Sequence, residues 1–177
     1  MGRRGGGSAG ASRRRSLFTS QLGLKKVHRF DFRYTDYKQA QKLAHELAAK
    51  GVKIVLLGHS RGGNVADMIG ESLQKAGYAP EVHLFDPVSR NLLFGRDTAL
   101  RTRGAHVYTP KEGTNGFGVF GWLNNTIATV GGRYAAPSEK QWEGDHVNGM
   151  KQFIHDNWTA IMGNYPQPNA RKDVEWK

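Results

Sequence analysis

Five consecutive residues, Gly58-His59-Ser60-Arg61-Gly62, match the pattern G-x-S-x-G. This spacing suits a serine nucleophile, because Ser60 would stand on a sharp turn between a strand and a helix with its hydroxyl in the open. The flanking glycines would let the strand and the helix approach closely, and Gly63 would relieve the crowding further. The Arg61 N–H, at the start of the helix, is the expected oxyanion donor. The pattern alone is weak in a chain with 23 glycines, so the flanking elements must support it.

A serine nucleophile needs a base, and His146 is the predicted one. It follows Gly144 and Asp145 in a loop just before the last predicted helix. The other six histidines lie inside the motif, in or beside predicted strands, or in predicted helices: His59, His28, His83, His106, His45 and His155.

Two residues compete for the acid that would orient this base. Asp86 directly follows the strand after the motif, at the end of a parallel strand where site residues collect. Glu112 follows the next strand along the chain, and Asp97 and Asp145 are further alternatives. Asp86 is the preferred acid, and Glu112 is the main alternative.

The chain from about residue 27 to 162 resembles the α/β-hydrolase family, specifically its lipase-like and esterase-like members. The most specific part is Leu57-Gly58-His59-Ser60-Arg61-Gly62-Gly63, and Phe85-Asp86-Pro87-Val88 looks like the Asp-Pro-Val segment of some bacterial lipase-like effector and toxin domains. The resemblance implies hydrolysis of an acyl ester or lipid by a triad in the order Ser, acid, His. It implies no cofactor, and the His and acidic residues lack the spacing of metal ligands.

The pattern of elements predicts an α/β fold with a mainly parallel sheet flanked by helices. Strands are predicted at 27–34, 54–57, 82–85 and 105–108, helices at 35–50, 62–76 and 147–162, and a long loop at 113–135. The family normally supplies a second oxyanion N–H from a loop after an early strand, yet no such strand precedes Val27. The expected fold is therefore reduced at the N-terminus: either the first strands are missing or another segment contributes the donor.

Charge and composition set the domain limits. The chain has 177 residues, no cysteine and a net charge of +11. Five of its arginines lie in the first fifteen residues: Arg3, Arg4, Arg13, Arg14 and Arg15. We expect a disordered basic extension at 1–24, one catalytic domain at 25–165 and a tail at 166–177.

The same charge supports a competing hypothesis. A catalytically degenerate hydrolase fold could bind anionic lipid or nucleic acid through the basic extension. The missing oxyanion strand supports this hypothesis, whereas the intact motif and the available base argue against it. Of the two partners, an anionic membrane surface is expected more than nucleic acid. No apolar run of about 18 residues is present and no export signal is recognisable. The sequence leaves the location unknown, with a cytoplasmic protein and delivery by a dedicated secretion system as the two alternatives.

Overall fold

The computed structural model describes residues 16–18, 27–89, 99–111, 132–134, 136–144 and 146–163. Its strands are β1 (Ser16–Phe18), β2 (Val27–Arg29), β3 (Val55–His59), β4 (Glu81–Phe85), β5 (His106–Pro110) and β6 (Lys140–Trp142). A 3-10 turn at Tyr34–Asp36 leads into α1 (Tyr37–Ala49), and the later helices are α2 (Arg61–Lys75), α3 (Asn148–Asp156) and α4 (Trp158–Met162).

Four strands form a wholly parallel sheet in the order β3-β4-β5-β6. His59 pairs with Phe85, and Phe85 pairs with Tyr108, so the carboxyl ends of three neighbouring strands lie side by side. Within the described residues β3 has one neighbour and lies at an edge, where the Leu57 side chain is 46% exposed. β1 and β2 form a separate antiparallel pair.

Helices cover both faces of this sheet, because successive side chains of a strand point to opposite faces. Val82 and Leu84 of β4 pack with Ala66 of α2 on one face. Phe85 packs on the other face with aromatic and aliphatic side chains of β5, β6, α3 and α4: Tyr108, Trp142, Met150, Phe153, Ile161 and Met162. Helix α1 packs against α2 and forms the outer part of its layer. The predicted α/β class, with a parallel sheet and flanking helices, is confirmed.

Several boundaries differ from the sequence prediction. The predicted strand at 27–34 is limited to β2, and β6 was not predicted at all. The predicted helix at 147–162 is two helices that meet at Asn157, whose backbone has non-helical angles, with φ −109° and ψ 12°. The Asn157 side-chain amide donates to the Phe153 carbonyl at 3.0 Å. Ser16–Phe18, which the sequence assigns to a disordered extension, pairs with β2 as a strand.

The helices among the described residues are too short or too polar to cross a membrane. The alternative acids Glu112, Asp97 and Asp145 lie outside the described residues, as does most of the predicted loop at 113–135.

Candidate active site

Ser60 stands at the turn between β3 and α2 in a backbone conformation that non-glycine residues rarely adopt, with φ 55° and ψ −126°. Its N–H donates to the Phe85 carbonyl at 3.0 Å, and its own carbonyl accepts from Val88 N at 3.0 Å and Gly63 N at 2.9 Å. Serine is a common helix cap, but the Ser60 side chain makes no cap hydrogen bond to α2. The backbone of the turn is thus fixed without use of the hydroxyl.

Two glycines allow β3 and α2 to meet so closely at this turn. A Cβ on Gly58 would lie 2.7 Å from Gly63 Cα and 2.8 Å from Ala66 Cβ, and a Cβ on Gly63 would lie 2.9 Å from Pro87 Cβ. Gly62 differs, since a Cβ there would meet no described atom within 4 Å. The predicted role in close approach therefore holds for Gly58 and Gly63, and the structure gives no such reason for a glycine at position 62.

Asp86 occupies the corresponding position at the end of β4. Its φ is 43°, a left-handed conformation that Asp tolerates better than most residues. Its N–H donates to the Tyr108 carbonyl at 2.7 Å, and its side chain is completely buried. Because Ser60 N bonds to Phe85, the residue before Asp86, the two site residues lie on adjacent strand ends.

His146 reaches Asp86 from the loop before α3. Its Nδ1 lies 2.5 Å from Asp86 Oδ2, and the residue is only 6% exposed. Because an ionised carboxylate can only accept hydrogen bonds, Nδ1 carries the proton and donates. In the neutral imidazole, Nε2 is then the unprotonated nitrogen, as a general base requires.

His59 fixes the backbone of the same loop. Its Nε2 lies 2.7 Å from the His146 carbonyl oxygen, so Nε2–H donates to it, and the two imidazole rings are 4.4 Å apart between centroids. Burial and the neighbouring His146 lower the pKa of His59 from 6.5 to about 4. His59 is therefore neutral near pH 7 and acts as a support for His146.

Arg133 is a site residue that sequence reasoning missed. Its Nη2 donates to Asp86 Oδ2 at 2.7 Å, and its Nε lies against Asp86 Oδ1 as an ion-pair contact without hydrogen-bond alignment. In the sequence, Arg133 falls within a Gly- and aromatic-rich stretch assigned to a loop. Its partner Asp86 lies 47 positions away in the sequence, so the residues around Arg133 do not indicate the contact.

The segment that carries Arg133 is anchored on both sides. Ser89 N donates to the Gly132 carbonyl at 2.9 Å, and Tyr134 N donates to the Pro87 carbonyl at 3.0 Å. The buried Tyr134 hydroxyl accepts from Asn64 Nδ2 at 2.8 Å and donates to Asp67 Oδ2 at 3.1 Å. Burial and the Asp67 carboxylate raise the pKa of Tyr134 well above its usual value, so the phenol stays protonated.

Asp67 is the centre of a separate polar cluster beneath α2. It is completely buried and accepts from the backbone N–H of Thr102 at 2.8 Å and of Arg101 at 3.1 Å. The Arg101 Nη1 lies 3.8 Å from Asp67 Oδ2. This cluster fixes the Tyr134 side chain and does not contact Ser60, Asp86 or His146 within the described residues.

The start of α2 supplies the predicted oxyanion donor. The Arg61 N–H belongs to the first turn of the helix, where backbone donors have no intrahelical acceptor. Its side chain turns to Tyr34, with Nη1 3.3 Å from the hydroxyl and Cζ 5.5 Å from the ring centroid. Residues 34–39 and Arg61 line an open cavity of about 560 Å³ beside this turn.

The remaining described histidines have partners elsewhere. His83 is buried, stacks on His106 with a 4.8 Å centroid separation, and lies 3.0 Å from Glu81 Oε1. His45 bonds to Ser72 at 2.9 Å between α1 and α2, and the exposed His155 contacts its neighbour Asp156. His59 and His146 are the histidines with described contacts at the corner formed by Ser60 and Asp86.

The structure thus brings Ser60, Asp86 and His146 to one corner at the carboxyl edge of the sheet. The Asp86–His146 hydrogen bond is formed, whereas the described contacts include none between the Ser60 hydroxyl and His146. Catalytic hydrogen bonds are often long in the absence of substrate. The arrangement can hold an unprotonated imidazole nitrogen near a hydroxyl and a helix N-terminus.

Comparison of the chain with protein-family models, with curated proteins and with solved structures gives no match. The functional interpretation therefore depends on the motif and on the geometry of this corner.

Proposed function

We propose that the chain is a serine hydrolase of the α/β-hydrolase type that cleaves acyl esters or lipids. One observation carries the proposal: Ser60 has a positive φ at a strand-to-helix turn, on the strand end beside a buried, hydrogen-bonded Asp86–His146 pair. Strained backbone at such a turn holds a serine hydroxyl outside the helix. The pair beside it supplies an oriented base.

The chemistry follows from these positions. The Ser60 Oγ attacks the ester carbonyl carbon while His146 Nε2 takes the hydroxyl proton. The resulting oxyanion accepts from the Arg61 N–H, an interaction worth on the order of 10²–10³ in rate for one donor. The imidazolium returns its proton to the departing alcohol. Water, deprotonated by the same nitrogen, then attacks the acyl-Ser60 ester and releases the acid.

Labelling and turnover test the nucleophile. A fluorophosphonate probe should label Ser60, as mapped by mass spectrometry, and the wild type should hydrolyse short p-nitrophenyl esters. Ser60→Ala and Ser60→Gly should both lose labelling and turnover while keeping the circular dichroism spectrum of the wild type. Ser60→Gly is the better control, because glycine accepts the positive φ. Labelling of another serine, or full turnover in these variants, would disprove the assignment.

A second pair of variants tests the acid. Asp86→Asn should lose at least about 10³-fold in kcat with little change in KM, whereas Glu112→Gln should lose less than about 10-fold. Asn is the appropriate replacement because it also tolerates the left-handed backbone of Asp86. The reverse order of losses would transfer the acid role to Glu112. Mild losses in both variants would favour a Ser–His dyad.

The alternative function is binding without catalysis. Two observations favour it: the Ser60 hydroxyl lacks a described hydrogen bond to His146, and the chain carries a net charge of +11. Such a protein would bind anionic lipid or nucleic acid with strong salt dependence and would turn over no ester. Turnover by the wild type together with its loss in Ser60→Gly would exclude this alternative.

A further inference from the structure

The Asp86 carboxylate has an unusual set of partners. It is completely buried, and among the described residues it accepts hydrogen bonds only from His146 Nδ1 and Arg133 Nη2, both on Oδ2. A buried carboxylate is costly unless charge and hydrogen bonds compensate it. The Arg133 guanidinium brings a permanent positive charge to this carboxylate.

Arg133 also fixes the direction of this carboxylate. A guanidinium that contacts both carboxylate oxygens constrains rotation of the carboxylate plane, which a single donor does not. Oδ2 is thereby held toward His146, and the orientation of His146 in turn depends on Oδ2. A misplacement of about 1 Å in this series of contacts from Arg133 through Asp86 to His146 can cost on the order of 10²-fold in rate.

We infer that Arg133 is a positioning residue that holds the Asp86 carboxylate aimed at His146. The inference rests on the proposed function, since it concerns the same site. Arg133 acts through Asp86 and makes no described contact with Ser60. Its side chain is 30% exposed, so the guanidinium is partly screened by solvent.

Besides orienting the carboxylate, the Arg133 guanidinium opposes protonation of the Asp86–His146 pair. Asp86, His59 and Arg133 are described titratable groups at His146, and Lys151 lies near His59. Of these, Asp86 favours a proton on His146, whereas the positive charge of Arg133 repels it. Loss of Arg133 should therefore let the Asp86–His146 pair take up a proton at higher pH.

The backbone position of Arg133 does not depend on its own side chain. The bonds of Gly132 to Ser89 and of Tyr134 to Pro87, Asn64 and Asp67 anchor both neighbours. Arg133→Met should therefore fold and keep the segment in place.

The test compares Arg133→Met and Arg133→Lys with Arg103→Met as a control. Arg103 is exposed, and its described hydrogen bonds to Gln74 are made by its backbone. Arg133→Met should lower kcat about 10- to 100-fold with KM changed less than about twofold, and should move the acid limb of the pH profile up by about one unit. Arg133→Lys should restore the acid limb and recover only part of kcat, because lysine keeps the charge without the two-point contact. Arg103→Met should keep wild-type kcat and pH profile.

A readout without substrate separates this inference from the proposed function. In ¹⁵N NMR spectra of the imidazole, the His146 titration should move to higher pH in Arg133→Met and stay in place in Arg103→Met. Wild-type protein that neither turns over esters nor labels at Ser60 would overturn the proposed function alone. An unmoved His146 titration in Arg133→Met, or equal effects in Arg133→Met and Arg103→Met, would overturn the role of Arg133.

Discussion

Ser60 and Asp86 are the two described non-glycine residues with positive φ. Such conformations cost on the order of 1–3 kcal/mol each and persist only when the surroundings impose them. Here backbone hydrogen bonds impose them, because the N–H of each residue donates to a backbone carbonyl of the neighbouring strand. The strain is thus concentrated at the two strand ends where the proposed nucleophile and acid lie.

Protonation of His59 should make the free energy of unfolding depend on pH. Its pKa is about 4 in the folded protein and about 6.5 in an unfolded chain. Between these values the unfolded chain binds a proton that the folded protein does not, so the free energy of unfolding falls as pH falls from 6.5 to 4. The loss should reach at most about 3 kcal/mol, and burial lowers the pKa of His83 in the same sense.

Urea unfolding at several pH values between 7 and 4 measures this effect. His59→Gln keeps a donor for the His146 carbonyl but cannot titrate, so its stability should depend less on pH than that of the wild type. Equal pH dependence in the two proteins would mean that His59 is not protected from protonation in the folded state.

At the scale of elements, β3 and α2 can approach closely because Gly58 and Gly63 have no side chains. Gly58→Ala should destabilise the protein by about 2 kcal/mol or more, because the new methyl group would meet the backbone of Gly63 and the side chain of Ala66. Gly62→Ala is the matched control in the same motif. It should leave stability unchanged or raise it by up to about 1 kcal/mol, since alanine favours a helix. Chemical denaturation measures both, and similar losses in the two variants would contradict the close approach seen at Gly58.

The sequence predicts the elements that have a local signal. The amphipathic helices α1 and α2 and the apolar strands β3 and β4 follow from their own residues to within a few positions. β6 escapes prediction because it has only three residues, of which Lys140 and Gln141 are exposed and only Trp142 is buried. Its identity as a strand comes from pairing with β5, which is a tertiary effect.

The same distinction applies to the site. Ser60 and Asp86 follow predicted strands, and His146 precedes a predicted helix, so all three could be proposed from the sequence. Arg133 could not, because its partner lies 47 positions away and its own segment has no periodicity. The preference for Asp86 over Glu112 stays a prediction, because Asp86 contacts His146 whereas Glu112 lies outside the described residues.

At the scale of the whole molecule, the charge is the dominant property. The chain has 26 basic and 15 acidic residues, and five of the arginines precede residue 16. Each basic residue near an anionic membrane surface contributes about 1 kcal/mol of attraction. Replacement of Arg3, Arg4, Arg13, Arg14 and Arg15 by serine should therefore weaken binding to phosphatidylserine vesicles at least about tenfold at low salt. Vesicle sedimentation measures this loss.

The melting temperature of the five-serine variant is the control, and it should remain within about 2 °C of the wild-type value because solvated charges contribute little to stability. Unchanged vesicle binding would show that the basic residues of the domain, and not those of the first fifteen positions, contact the membrane. A large drop in melting temperature would show that the arginines support the fold.

The wide sequence separation of the contacts in the site has a kinetic consequence. His146 meets Asp86 across 60 positions, and Tyr134 meets Asn64 across 70. Such contacts form late, because long loops must close before they can form, whereas α1 and α2 can begin to form locally. During synthesis, a chain that has left the ribosome only as far as α2 carries Ser60 but neither the proposed acid nor the proposed base. If the proposed triad is correct, the nascent protein should stay inactive until His146 has emerged.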